Sequence, residues 1–256
     1  MKIKNLFKDF IDSFKPKISW LYIMLFDFLF YGISILVIKA VGSYLTKKSA
    51  AINLPDITNL NALNPADLEA IAMQMQNLFI TIVVLITLVL IVILLGWSLS
   101  RGLIYSILLK KKFTKKSFGK FTLLNLFLFI TIFVILVFFT AVGAVLATLI
   151  TSYRYVFFVI FLAIIYYLSL NYIFFTKKNK VFESIGKALT FGTKNMLTLF
   201  IPCLLILIVS LLLSRLQLII SIQAQIAPFL SLVIFVIFMA WARNYFVQTV
   251  EKIKGG

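Results

Sequence analysis

LFITIVVLITLVLIVILLGWSLSRGLIYSILL, Leu78 to Leu109, followed at once by Lys110-Lys111-Lys112-Phe113-Thr114-Lys115-Lys116, decides how this chain is built. The run carries no charge before Arg101 and exceeds the roughly 20 helical residues that cross a hydrocarbon core. Backbone N–H and C=O groups in lipid must be satisfied within the segment, so the run predicts a transmembrane helix and not a strand. The lysines that stop it predict its sidedness, because short loops rich in Lys and Arg stay in the cytoplasm.

Five more apolar runs lie around it: Ile18 to Ser43, Leu123 to Ile150, Val156 to Phe175, Leu197 to Leu213 and Ile226 to Val247. Under this six-span reading, 20 of the 25 Lys and Arg share one side, in the first segment, the second-to-third and fourth-to-fifth connections, and the last residues. Lys39, Lys47, Lys48, Arg154 and Arg215 fall on the other. The expectation is an all-α, polytopic membrane helical bundle in the cell (cytoplasmic) membrane, with both termini cytoplasmic. The amino-terminal segment has no apolar core with a small-residue cleavage site, so it is expected to be retained.

A net charge of +17 and a pI near 10.0 invite a nucleic-acid reading. The charges nevertheless sit in juxtamembrane clusters and not along one soluble face. They predict attraction to anionic lipid headgroups and no nucleic-acid partner. There is no His, and Cys203 is the single Cys, so an intrachain disulfide and a His/Cys metal site have nothing to build from, and no cofactor is expected. No Walker-type glycine loop, HExxH or nucleophile with a histidine occurs, and no two acids share one helical face inside a span. The expectation is a non-enzyme.

Residues 1–256 read as one membrane domain of three hairpins: 1–109 with an outer loop at 44–77, then 110–176, then 177–256. Ile3, Leu6, Phe7, Phe10, Ile11 and Phe14 recur at helical spacing opposite Lys2, Lys4, Lys8, Asp9, Asp12 and Lys15, the pattern of a helix lying in the interface. Pro16 and Lys17 separate it from the first span. Val181, Phe182, Ile185 and Leu189 form a second such stripe. The odd spans are entered by Asp12-Ser13-Phe14, Lys116-Ser117-Phe118-Gly119-Lys120 and Glu183-Ser184-Ile185-Gly186-Lys187. The even spans leave through Arg101-Gly102-Leu103-Ile104, Asn171-Tyr172-Ile173-Phe174 and Asn244-Tyr245-Phe246-Val247. These matches read as three pseudo-repeated hairpins, each preceded by a cytoplasmic interfacial amphipathic segment. In the outer loop, 47–64 reads as irregular, whereas Asn64-Pro65-Ala66-Asp67-Leu68-Glu69 has the cap, proline and acids of a helix start.

Asp27 lies about nine positions into the first span, roughly 13 Å along a helix. A carboxylate at that depth must be paired, protonated or facing water. Arg101 and Arg243, near the same leaflet at the ends of the second and sixth spans, are each within reach of it. The functional reading is an ion or proton site in a cytoplasm-facing cavity, and the alternative is a structural pair that fixes helix packing. Arg101, Asn171 and Asn244 occupy equivalent repeat positions, so Asp27, Arg101, Asn171, Arg243 and Asn244 form the candidate polar cluster around an inner vestibule. Asn125, Ser169, Asn171, Ser210 and Asn244 are expected to hydrogen-bond between helices. Trp20, Trp97, Trp241, Tyr22, Tyr105, Tyr166, Tyr167 and Tyr245 read as an aromatic belt. Gly143 to Ala147 is a small-xxx-small packing pattern.

Glu183-Ser184-Ile185-Gly186-Lys187-Ala188-Leu189, ahead of Leu197-Thr198-Leu199-Phe200, resembles the amphipathic helix and span entry of uncharacterised six-span prokaryotic proteins. Those are similar to the membrane domain of glycerophosphoryl diester phosphodiesterases. The resemblance covers some 70 residues and implies a six-span fold; no stretch of the 256 residues matches a soluble phosphodiesterase domain, so it implies no catalytic role. The expected function is a non-catalytic membrane component that binds lipids, or a protein partner such as an ATPase subunit, through its basic cytoplasmic face. The alternative is a transporter or permease subunit with a polar cavity around Asp27.

Overall fold

The computed structural model describes residues 9–15, 18–51, 65–146, 153–221 and 227–255. They are helical apart from short connections, and no strand occurs among them. The helices are α1 (9–13), α2 (Ile18–Ala50), α3 (Pro65–Leu108), α4 (Lys115–Leu146), α5 (Tyr153–Lys178), α6 (Val181–Lys194), α7 (Met196–Ser221) and α8 (Ala227–Gly255). All but α1 and α6 are long and apolar enough to cross a membrane, which makes six candidate spans and a multi-pass membrane protein. The readings placed on residues 2–8, on the Pro16 bend, on 52–64 and on the packing of Gly143 to Ala147 lie outside the described residues.

Two helix ends inform on the local rules. α3 begins at Pro65, where proline costs nothing because the first helical N–H has no partner to lose. α2 runs on to Ala50, beyond the apolar run that ends at Ser43, so 47–50 is helix and not the irregular loop its polarity suggested. Lysine is a good helix former, and Lys47 and Lys48 in the last turn meet the negative end of the helix dipole. Ala51 N–H donates back to the Lys47 carbonyl and closes that turn.

The chain divides into two compact units, Met1–Phe28 with Ser98–Gly256, and Leu29–Trp97. In the first unit, Ala240 to Val247 of α8 and Leu170 to Phe175 of α5 are buried without a break. A helix buried on every face over more than a full turn is enclosed by protein there, and these two stretches form the centre of the core. Ile23, Ile104, Phe121, Leu124, Ala188 and Leu199 pack into the same cluster.

α1 and α6 close the unit. Phe14 stacks on Trp241 at 4.7 Å, and the Trp241 indole N–H donates to Ser13 Oγ at 2.9 Å. Ser184, Ala188 and Gly192, one turn apart, form the buried face of α6. Size explains them: a Cβ on Gly192 would stand 2.8 Å from the Tyr167 ring and 2.9 Å from Leu170 Cδ1. The Tyr166 hydroxyl donates to the Gly192 carbonyl across the same seam at 2.9 Å. Of the apolar stripe read from the sequence, Phe182 and Leu189 are exposed, whereas Val181 and Ile185 pack against the core.

The second unit is built differently. None of its described residues is buried, although its helices are as apolar as any in the chain. Among its described residues, Lys48 Nζ donates to Thr81 Oγ1 at 2.5 Å, and Phe30 packs edge-on against Trp97 at 5.5 Å.

Candidate functional site

Asp27, on α2, is completely buried. Its carboxylate is held from two sides: Arg101 of α3 donates from Nη1 to Oδ1 at 2.5 Å, and Arg243 of α8 from Nη1 to Oδ2 at 2.5 Å. Arg101 is 1% exposed and Arg243 8%. Three helices distant in sequence are thereby tied at one point. The tie is strong in one direction, because removing the carboxylate would leave two cations in a medium that solvates charge poorly.

Around this cluster lies a network of neutral polar groups. Tyr105, buried one turn beyond Arg101, stands within electrostatic reach of Arg243, Arg101 and Asp27 and hydrogen-bonds Ser169. The Ser100 hydroxyl donates to the Phe26 carbonyl at 3.4 Å. The Tyr172 hydroxyl donates to Asn125 Oδ1 at 2.7 Å, and Asn125 Nδ2 donates to Ser98 Oγ at 2.9 Å. This relay links α5, α4 and α3 by side chains alone, as interhelical bonds do in membrane bundles. The sequence pointed to Asn125 as such a donor but not to its partners, which no spacing rule specifies.

The remaining candidates are Asn171 and Asn244, 4% and 5% exposed. Asn171 Nδ2 donates to the Tyr167 carbonyl within α5, and Asn244 Oδ1 accepts from Gln248 within α8. The structure therefore brings Asp27, Arg101 and Arg243 into direct contact. Both asparagines bond within their own helices, and both leave one buried atom without a partner, Oδ1 of Asn171 and Nδ2 of Asn244. All five residues are enclosed by protein.

Several aromatic residues read as a belt are core instead. Trp20, Trp241, Tyr105 and Tyr245 are buried, whereas Tyr22 is 54% exposed. Trp241 and Tyr245 stack at 5.8 Å, and Phe10 meets both edge-on. A ring near a helix end serves a belt or a core equally well, and the neighbours of the helix decide which.

The lysine-rich surface of this unit is organised by its few acids. Lys15 pairs with Asp12, Lys252 with Asp9, and Lys177 with Glu251. Glu183 on α6 faces Lys187, Lys180 and Lys178. The Lys187 hydrogen bond, then that of Lys180, hold its carboxyl down at about 2. Lys110, Lys111 and Lys112 after α3, and Lys115 and Lys116 in the first turn of α4, are exposed. Among the described residues, no group of three or more His, Cys, Asp or Glu could hold a metal. Compared with known proteins, the chain matches no family model, no curated protein and no solved structure.

Proposed function

We propose that this protein is a non-catalytic membrane component whose lysine-rich end faces the cytoplasm and binds anionic lipid headgroups, and through them or beside them a protein partner such as an ATPase subunit. The observation that carries the reading is the excess of exposed lysine over acid at that end, where the described acids are already engaged by lysines. Each lysine near a charged leaflet contributes about 1 kcal/mol of attraction. Three pseudo-repeated hairpins suit this role, since each brings a basic segment to the same surface. Ser13 and Ser184, at matching places in the entry segments, are both buried, and each hydroxyl donates back to a carbonyl of the preceding turn. Tyr172 and Tyr245, matching in the exits, are both buried as well. The resemblance of 183–200 to six-span prokaryotic proteins, themselves similar to the membrane domain of glycerophosphoryl diester phosphodiesterases, fits a supporting role in the same way.

A permease centred on Asp27 is the less supported reading. Transport needs that carboxylate to meet an ion or water, and here two guanidiniums occupy it at zero exposure. The test is mass spectrometry of the lipids that stay bound to the purified full-length chain. Enrichment of anionic over zwitterionic lipid, reduced when Lys110, Lys111, Lys112, Lys115 and Lys116 are changed to Gln, is the expected result. Equal retention of both lipid classes, or solute flux in proteoliposomes that Asp27→Asn abolishes, would overturn it.

A further inference from the structure

The connection from α3 to α4 folds back onto the end of α3. Lys110 turns it in the left-handed region, at a φ of 53°, and the Lys111 N–H donates to the Ser106 carbonyl at 2.9 Å. A Cβ on Gly102 would run into the Phe113 ring, so glycine is what lets Phe113 lie against the helix there. Beside this fold-back, between α3, α4 and α5, is a pocket of about 240 Å³, counting the space at its open mouth. Phe113, Phe121 and Phe175 wall it, and Ser106, Lys112 and Ser117 bring polar groups to it. All of these residues lie in the first unit.

Ser106 is the informative member. It is 5% exposed, and among the described residues its hydroxyl makes no hydrogen bond. A serine or threonine inside a helix can return its hydroxyl to a carbonyl of the preceding turn, as Thr176, also on the pocket, does to Tyr172 at 2.8 Å. Ser106 leaves that option unused. A buried hydroxyl without a protein partner, on a residue that lines a cavity, calls for a partner within the cavity. Lys112 is exposed and makes no ion pair among the described residues. Ser117 stands in the first turn of α4, where Thr114 Oγ1 accepts its N–H at 3.2 Å and the helix presents its positive end. Asn179, on the rim, keeps its Oδ1 buried and out of a ligand's reach.

An ammonium, two hydroxyls and a helix N-terminus meet at one cavity, and none of its lining residues is acidic. Such a set suits a compact anion with several acceptor oxygens. The volume falls below the roughly 300 Å³ at which pockets for whole drug-sized ligands begin, so one small group fits. We infer that this pocket holds a phosphate group, with Lys112 and the Ser106 and Ser117 hydroxyls donating to its oxygens. The phosphate comes either from a phospholipid headgroup or from free phosphate in solution. The inference deepens the lipid-binding reading and, for the lipid source, rests on it.

The experiment is a thermal melt of the delipidated full-length chain in a neutral detergent. Sodium phosphate is titrated against sodium chloride at equal ionic strength, and phosphatidylglycerol against the phosphate-free lipid diacylglycerol. A ligand at a hundred times its Kd should raise Tm by roughly 5–10 °C. A rise with phosphate marks the free anion, and a rise with phosphatidylglycerol but not with phosphate marks a headgroup. No rise with phosphate, together with equal melts in the two lipids, overturns the inference. Ser106→Ala and Lys112→Gln should each weaken the apparent affinity about tenfold or more, because each removes a hydrogen bond to a charged group. Lys194→Gln, an equal loss of charge away from the pocket, should leave it unchanged. Unchanged affinity in both pocket variants, or an equal loss in Lys194→Gln, overturns the inference. Without ligand, Ser106→Ala should melt no lower than the wild type, since its hydroxyl has no protein partner to lose; a lower melt would show that partner exists and overturn it. The two readings fail separately. Equal retention of anionic and zwitterionic lipid by the wild type sinks lipid binding and leaves the phosphate titration to decide the pocket, whereas anionic enrichment undiminished in both pocket variants sinks the pocket alone.

Discussion

Leu29–Trp97 and the unit formed by Met1–Phe28 with Ser98–Gly256 are made of equally apolar helices, yet only the second has a core among its described residues. Hydrophobicity therefore does not decide where this protein packs. In lipid, an apolar side chain gains nothing by leaving the acyl chains for a neighbouring helix, and association depends on close packing and on polar groups that bond between helices. The packed unit has both: Asp27 between two arginines, Tyr172 to Asn125 to Ser98, and the small face of α6 against the Tyr167 ring. The other unit has Leu, Ile and Val on nearly every face, and none of its described side chains is buried, so they remain available to lipid.

If polar ties hold the packed unit, breaking the central one should have the largest effect. Asp27→Asn strands two buried cations and should cost about 3–5 kcal/mol, read as loss of folded protein in a detergent melt. Arg101→Gln keeps one cation for the carboxylate and should cost less, about 1–2 kcal/mol, since what it loses is one charge-assisted hydrogen bond. The order matters more than the sizes. Equal losses would mean that the pairs contribute independently and that charge balance is not the governing term.

The next comparison sets the two units against each other directly. Ile104 is completely buried in the core cluster, and Ile104→Ala should cost about 2–4 kcal/mol through the cavity it leaves. Leu88 is 53% exposed, and Leu88→Ala should stay within about 0.5 kcal/mol. A matching loss at Leu88 would show that the second unit is covered by something other than lipid.

That contrast was only half legible in the sequence. The number of spans and their placement follow from runs of apolar residues because the hydrocarbon thickness sets a length that composition reveals directly. Asp27 stood out for the same reason, and Arg101 and Arg243, at the ends of the second and sixth spans, were each within its reach, but that both hold it at once came only from the structure. What hydropathy does not carry is which apolar residues touch protein. Trp20 and Trp241 look like interface anchors until the neighbours of α8 are known. The α6 seam escaped a search for apolar stripes because Ser184, Ala188 and Gly192 are selected for smallness, and the large residues Phe182 and Leu189 turn outward. The helical 47–50 was missed because lysine is equally at home in a loop.

Backbone strain at the edge of the packed unit gives a smaller test. Lys110 has a φ of 53°, just past the end of α3, and the Lys111 N–H reaches back to the Ser106 carbonyl, the pattern of a helix closed by a left-handed residue. Glycine takes this conformation without the clash a Cβ makes with the backbone. Lys110→Gly should therefore stabilise by about 0.5 kcal/mol despite losing a lysine. A loss of stability instead would mean that the Lys110 side chain contributes to the fold, contrary to a unit held from its core.

The smallest effect belongs to the rim of α6. Glu183 is held down to about 2 by its hydrogen bond with Lys187, then by Lys180, and Lys187 is raised in return. A carboxyl whose folded value lies below its ordinary 4.5 adds stability at pH values above that ordinary value, and loses it as pH falls through about 2. Glu183→Gln should lower Tm slightly at pH 7, and the two proteins should converge as pH approaches 2. The pairs are exposed to solvent and screened, so 0.5 M salt should shrink the difference further. The same salt should leave the penalty of Asp27→Asn largely intact, because a cluster enclosed by protein is poorly screened. Equal salt sensitivity at the two sites would mean that ions reach Asp27 as freely as they reach Glu183, and the distinction between a sealed core and a wet rim would fail.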